Sequence, residues 1–251
     1  MPRTFDGTDD KVTCSLGNAG LATSVTLALI VKVSDDSTAG KDFAGNGTNG
    51  YSFRRRSGTI RLVGSGGAFA QATSLNIVIA NGWCLVAAGK TGGTNTPRFH
   101  KYVYSTNTWT HENATGTLVD PTTGSGSFLI GSGVLGDFVA ADIAVVGAWN
   151  TNLSDAQVEA LAYSLPAWFA VQPKGLWLLD QSAVAQTVID LTGCGANESS
   201  ITGTAVGTSS VPVFSYGAQP RRRNAIVAAP PAGGTVESYE FLGGGYFPAW
   251  G

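Results

Sequence analysis

The stretch Asp142–Leu161 reads DIAVVGAWNTNLSDAQVEAL, and it changes character half-way along. From Ala141 to Trp149 it is an apolar run of strand length. Asn152 and Leu153 then lead to Ser154, whose hydroxyl suits a helix N-cap, and to Asp155, whose charge suits the positive end of the helix it opens. Val158, Leu161 and Ala162 recur at i, i+3 and i+4 and form one apolar face. The pattern predicts a helix over Asp155–Ser164, with Pro166 blocking its extension. A buried strand runs straight into a short amphipathic helix that must cover something.

Outward from this stretch, strand signals dominate. Val25–Val33 (VTLALIVKV) is continuously apolar, as in a strand buried on both faces. Tyr51–Phe53 and Thr59–Val63 predict a hairpin turned at Ser57-Gly58. Leu75–Ile79 and Trp83–Ala88 flank Asn81-Gly82, which also reads as a hairpin turn. Phe99–Tyr104 and a return near Trp109 form a further pair around Ser105–Asn107, and Phe128–Ile130 is another strand. After the helix the chain resumes with Gly175–Asp180, Val188–Leu191 and Ile201–Val206. Many short strands with turn signals and one short helix describe an all-β sandwich or barrel.

Composition agrees. Charged residues are 13% of the 251, roughly half the usual share, and there are 34 glycines. Hydrophobic residues reach 43%, enough for a sizeable core and too many for a disordered chain. The formal net charge of −2 implies no basic surface for nucleic acid. No run approaches the roughly 18 apolar residues of a membrane span, and no secretory signal opens the chain. Low charge with a mean hydropathy of +0.10 points to a surface partly covered by other protein, hence to a homo-oligomer or larger assembly. Cys14, Cys84 and Cys194 lack metal-ligand spacing and are an odd number, so they read as free buried thiols.

Four stretches carry a family resemblance. Phe5–Val12 (FDGTDDKV), Thr26–Lys32 (TLALIVK), Asn81–Val86 (NGWCLV) and above all Asp142–Leu161 resemble the laminin-G-like jelly rolls of the concanavalin A-like superfamily, over roughly residues 5–165. Gly175–Val206 resembles the segment that usually opens such domains, here near the C-terminus. Either residues 175–216 are permuted edge strands of the same sandwich, which is the reading preferred, or they begin a second, incomplete unit. The resemblance implies an all-β, antiparallel jelly-roll sandwich over 1–216 with one short helix. Residues 217–251 come next as an extended C-terminal arm carrying Arg221, Arg222, Arg223, Tyr239, Phe241, Tyr246, Phe247 and Trp250 as candidates for docking a partner.

Catalytic patterns are sparse. Sugar-cleaving relatives of this fold carry alternating carboxylates on one strand, as two-carboxylate hydrolysis requires. Glu112, Glu159, Glu198, Glu237 and Glu240 do not form that pattern. His100 and His111 lie on one predicted hairpin and could face each other, but Glu112 is the only carboxylate nearby in sequence, too few ligands for a metal. Asp6, Asp9 and Asp10 are weak calcium candidates, since laminin-G-like folds sometimes bind Ca²⁺ through loop carboxylates; turn formation explains them more simply. Asp180 and Asp190 rank no higher. Arg54–Arg56 is a second basic cluster suited to an acidic partner, or to solvent. Tyr102, Tyr104 and Trp109 are candidates for stacking on sugar rings, against core burial as the simpler reading. The overall resemblance is to phage virion proteins: a capsid decoration, fibre or minor tail protein, made in the host cytoplasm, placed in the virion and contacting other virion proteins. The alternative is a carbohydrate-binding module for host-surface glycans. No enzyme activity, cofactor, nucleic acid or membrane is expected.

Overall fold

The apolar run Val25–Val33 is one strand, and its two faces go to different places. Leu27, Leu29, Val31 and Val33 enter the main core, while Ala28 and Ile30 enter a second one. That is why no charged residue interrupts it before Lys32.

The protein is described by a computed structural model covering residues 2–206 except 16–20, 22–23, 47–49, 122–126, 134–136, 180–187, 189 and 193–197. The strands are β1 (Arg3–Asp6), β2 (Lys11–Cys14), β3 (Val25–Val33), β4 (Lys41–Asn46), β5 (Ser52–Arg56), β6 (Thr59–Val63), β7 (Phe69–Asn76), β8 (Cys84–Lys90), β9 (Arg98–Val103), β10 (Thr108–Asn113), β11 (Thr115–Gly116), β12 (Phe128–Ile130) and β13 (Ala140–Trp149). Helices α1 (Asp155–Leu161) and α2 (Leu165–Ala170) follow, then β14 (Gly175–Leu178), β15 (Glu198–Thr202) and β16 (Ala205–Val206). Among the described residues no helix is long and apolar enough to cross a membrane.

Two antiparallel sheets face each other. The first runs β10-β9-β8-β3-β13-β1-β16, with β14 also on β13; the second runs β11-β7-β6-β5-β4-β12-β2-β15. β13 is the axis of the first sheet. One edge pairs with β3 along most of its length. The other edge is shared end to end: β1 takes Ala140–Ile143 and β14 takes Val145–Ala148. The register against β3 shifts between Ile143 and Val145, at the junction of the two. The segment after residue 174 thus adds strands to both sheets, since β15 pairs with β2 and β16 with β1.

The main core lies between the sheets, where Phe128 stacks on Trp177 at 4.9 Å and Phe53 on Phe99 at 6.5 Å. The second core lies on the outer face of the first sheet, beneath the helices. There Trp149 and Trp168 pack at 5.7 Å, and each buried indole finds an acceptor, Val171 O at 2.7 Å and Leu161 O at 2.9 Å.

Three expectations change. Asn81-Gly82 turns no hairpin, because β7 belongs to the second sheet and β8 to the first. A hairpin turn there needs positive φ at both positions, and only Gly82 has it; Asn81 instead accepts the Val78 N–H with its side chain and shapes a sheet-to-sheet crossing. The helix ends at Leu161 rather than Ser164. Pro166 then sits in the first turn of a second helix, where its missing N–H costs nothing, so it opens α2 as well as closing α1. Finally, two of the three clustered arginines are committed internally: Arg54 to Asp42 and Asp137, Arg55 to Asp35 and Asp36.

Candidate functional site

Strand alternation decides what the β9–β10 hairpin shows to each side. His100 is opposite His111 and Tyr102 opposite Trp109, so these rings share one face with Tyr104. Phe99 and Val103 point the other way, into the main core. Asn107, at φ +50°, turns the hairpin and accepts the Tyr102 hydroxyl at 2.8 Å. Against the ring-bearing face lies α1. Its capping box is closed: the Ser154 hydroxyl accepts the Gln157 N–H at 3.3 Å, and the Gln157 side chain accepts the Ser154 N–H at 2.9 Å. With Val158 and Leu161 buried, Asp155 and Glu159, one turn apart, both reach the histidines.

The four side chains meet closely. The Nδ1 atoms of His100 and His111 are 2.8 Å apart. His111 Nε2 is 3.0 Å from Glu159 Oε1, and His100 Nε2 is 4.0 Å from Asp155 Oδ1. Arg98 donates from Nε and Nη2 to the two Asp155 oxygens, both at 2.6 Å, and from Nη1 to Asn113. His100 is 1% exposed. Burial, followed by His111, pushes its pKa down to about 4 against the pull of Asp155. His100 is therefore neutral near pH 7. The Arg98 hydrogen bonds hold the Asp155 carboxyl below its ordinary range. Imidazole nitrogens and carboxylates are metal-ligand chemistry, and His100, His111 and Asp155 can each offer an atom within 4.8 Å of the others.

Hairpin alternation also removes Glu112 from this group. It faces away from His111 and accepts hydrogen bonds from the backbone and hydroxyls of Thr73 and Ser74, joining the edges of the two sheets. Burial raises its pKa, but these bonds outweigh that and hold it at about 2.

The three aromatic candidates lie together. Tyr102 is 2% exposed and packs in the second core. Tyr104 reaches the Ala162 carbonyl at 3.2 Å. Trp109 stacks on His111 at 5.4 Å and 11°, and its indole N–H donates to the Tyr163 hydroxyl at 3.0 Å. Trp109 is only partly covered, and Tyr163, which no sequence pattern singles out, is 51% exposed.

The acidic loop is built differently. Asp6 accepts the Thr8 N–H and Asp10 accepts the Asp6 N–H, each at 2.7 Å, around Gly7 at φ +82°. Asp10 is buried, which raises its pKa. Asp6, Asp9 and Asp10 still bring three oxygens within 4.8 Å of one another. Asp190 is buried and accepts from the Leu176 and Thr192 N–H groups and the Thr192 hydroxyl. Cys14 and Cys84 are buried. Asp180, Cys194, Arg221, Arg222, Arg223, Tyr239, Phe241, Tyr246, Phe247 and Trp250 lie outside the described residues.

No protein-family model matches the chain, and no curated protein matches it. Among solved structures it is similar to a protein from Bacteroides ovatus ATCC 8483 described as a candidate carbohydrate-binding protein. The TM-score is 0.58 and the identity 14%, over 82% of this chain and 59% of that one. The fold is the concanavalin A-like, laminin-G-like jelly-roll sandwich. The chain spans 59% of the length of that Bacteroides protein. Fainter likenesses are to a heptameric pentraxin from Limulus polyphemus, at TM-score 0.46 and 15% identity over 64% of this chain and 80% of that one, and to tailspike protein 2 of bacteriophage CBA120, at 0.43 and 18% over 62% and 26%.

Proposed function

We propose that this chain is a non-catalytic structural module of a phage virion, a decoration, fibre or minor tail protein. Its jelly roll would be the displayed body and residues 217–251 the arm that docks on neighbouring subunits. The observation that carries this reading is the way the sandwich is tied. The C-terminal strands β14, β15 and β16 are each paired into the sheets next to strands from the first half of the fold or from β13. Buried Arg3 on β1 donates to Thr204 at 2.8 Å. A body fastened this way can bear load applied through the chain beyond β16, and that part of the sequence carries the Arg221–Arg223 cluster and five aromatics among its last 13 residues. Aromatic side chains and arginines are the residue types that anchor interfaces. The test is light scattering on the full chain and on a variant with Tyr246, Phe247 and Trp250 all replaced by alanine. An oligomer that becomes a monomer supports the arm; an unchanged oligomer, or a wild-type chain that is already monomeric, removes it.

A second reading, a carbohydrate-binding module, is favoured by a specific observation. Trp109 and Tyr163 form a partly open aromatic pair beside the His111 ring and the Glu159 carboxylate. A flat aromatic face beside polar groups is what a sugar ring needs. Tyr102 would serve there as support rather than contact. Glycan-array binding that disappears with Trp109→Ala would establish it, and a blank array would remove it.

A further inference from the structure

We propose that His100, His111 and Asp155 form a site for an imidazole-preferring divalent transition-metal ion, which would fasten α1 to the β9–β10 edge. The proposal does not depend on the virion or glycan readings, because its geometry belongs to the sandwich alone.

The donor set is complete in kind. Two imidazoles converge, with their Nδ1 atoms 2.8 Å apart. At metal–nitrogen distances near 2.0–2.1 Å, two tetrahedral ligands sit roughly 3.3 Å apart, so the rings need to separate by only about 0.5 Å. Asp155 supplies the third ligand group: its Oδ1 is 4.0 Å from His100 Nε2, and each of the three side chains has a ligand atom within 4.8 Å of the other two residues'. Its bidentate bond to Arg98 occupies about half of the roughly four acceptor positions of a carboxylate. Three protein ligands leave the fourth position of a tetrahedral ion open to solvent.

The surroundings suit the same ion. Glu159 lies 3.0 Å from His111 Nε2, which leaves Nδ1 to the metal. A carboxylate on the far nitrogen is the arrangement that fixes ring orientation and raises ligand basicity in metal sites. His100 is buried and His111 partly open, so the ion has one wall of protein and one approach from solvent. Nitrogen-rich donors select zinc, nickel or copper over magnesium or calcium.

The experiment is calorimetric titration of the full chain, stripped with chelator, with zinc chloride. The expected result is one ion per chain and an upward melting shift of roughly 5–10 °C at an ion concentration about 100-fold above the dissociation constant. Replacing buried His100 would confound binding with folding. His111→Asn is therefore the main variant, with its metal-free melting temperature as the check on the fold, and it should abolish the site. Glu159→Gln should weaken binding by about 10–100-fold, and Asp9→Asn should leave it unchanged. Absence of binding, or binding that survives His111→Asn undiminished, overturns the proposal. So does a cobalt-loaded chain whose spectrum shows thiolate charge-transfer bands, because the ion would then sit on cysteine.

Discussion

The histidine cluster and the acidic loop each bring three potential ligands within 4.8 Å of one another, yet their lone pairs point at different things. In the loop, carboxylates of Asp6 and Asp10 turn back onto the N–H groups of Thr8 and Asp6. They close a tight turn, and their proximity follows from their proximity in sequence. In the hairpin, the imidazoles face each other, and the carboxylates beside them arrive from a helix more than 40 residues further along the chain. Converging donors separated in sequence have no turn to account for them. The difference teaches that clustering of ligand-type residues is weak evidence until one asks which donors are already used by the backbone.

That contrast can be broken from either side. The largest effect should come from Leu161→Ala, which removes a buried anchor of α1. A loss of about 2–5 kcal/mol in denaturant unfolding is expected, together with weaker zinc binding, because Asp155 and Glu159 lose their support. Asp10→Ala should cost about 1–3 kcal/mol by leaving the Asp6 N–H without its acceptor, and zinc binding should persist. Ser154→Ala opens the capping box and should cost about 1 kcal/mol. A smaller, pH-dependent effect belongs to Glu112. Its folded pKa is depressed to about 2 from 4.5, so its contribution is present above pH 4.5 and is lost as pH falls towards 2. Glu112→Gln should flatten the stability profile in that window alone. Asp9→Asn, on an exposed side chain, should stay within about 0.5 kcal/mol of the parent.

The sandwich was legible because burial writes itself into periodicity. Val25–Val33 and Ala141–Trp149 are uninterrupted by turn signals since both of their faces are covered, and Ser154 marked the helix start through a local rule. The Asn81-Gly82 segment misled because the same dipeptide serves any sharp reversal, and only sheet assignment separates a hairpin from a crossing. The histidine pair was visible as a cross-strand option on one hairpin. Its carboxylates were not, because nothing local to Asp155 or Glu159 says that α1 folds back over β9 and β10. The same two residues read simply as polar positions of an amphipathic helix. Tyr163, three residues before Pro166, gave no periodic signal either, since it lies beyond the end of α1.

The shared edge of β13 has a consequence for how the chain is born. β1 pairs with β13 and β16, and β2 with β12 and β15. Among the described strands, neither pairs with one synthesised soon after it, and the Arg3–Thr204 bond spans 201 positions. At roughly 5–20 residues per second, β2 remains unpaired for on the order of ten seconds before β12 leaves the ribosome. Local ladders such as β8–β9–β10 and β4–β5–β6–β7 can form during that interval. The nascent protein is then two half-made sheets with open flanks, and completion is a late, non-local step. A chaperone that shields strand edges would act in that interval, and slowing translation would prolong it.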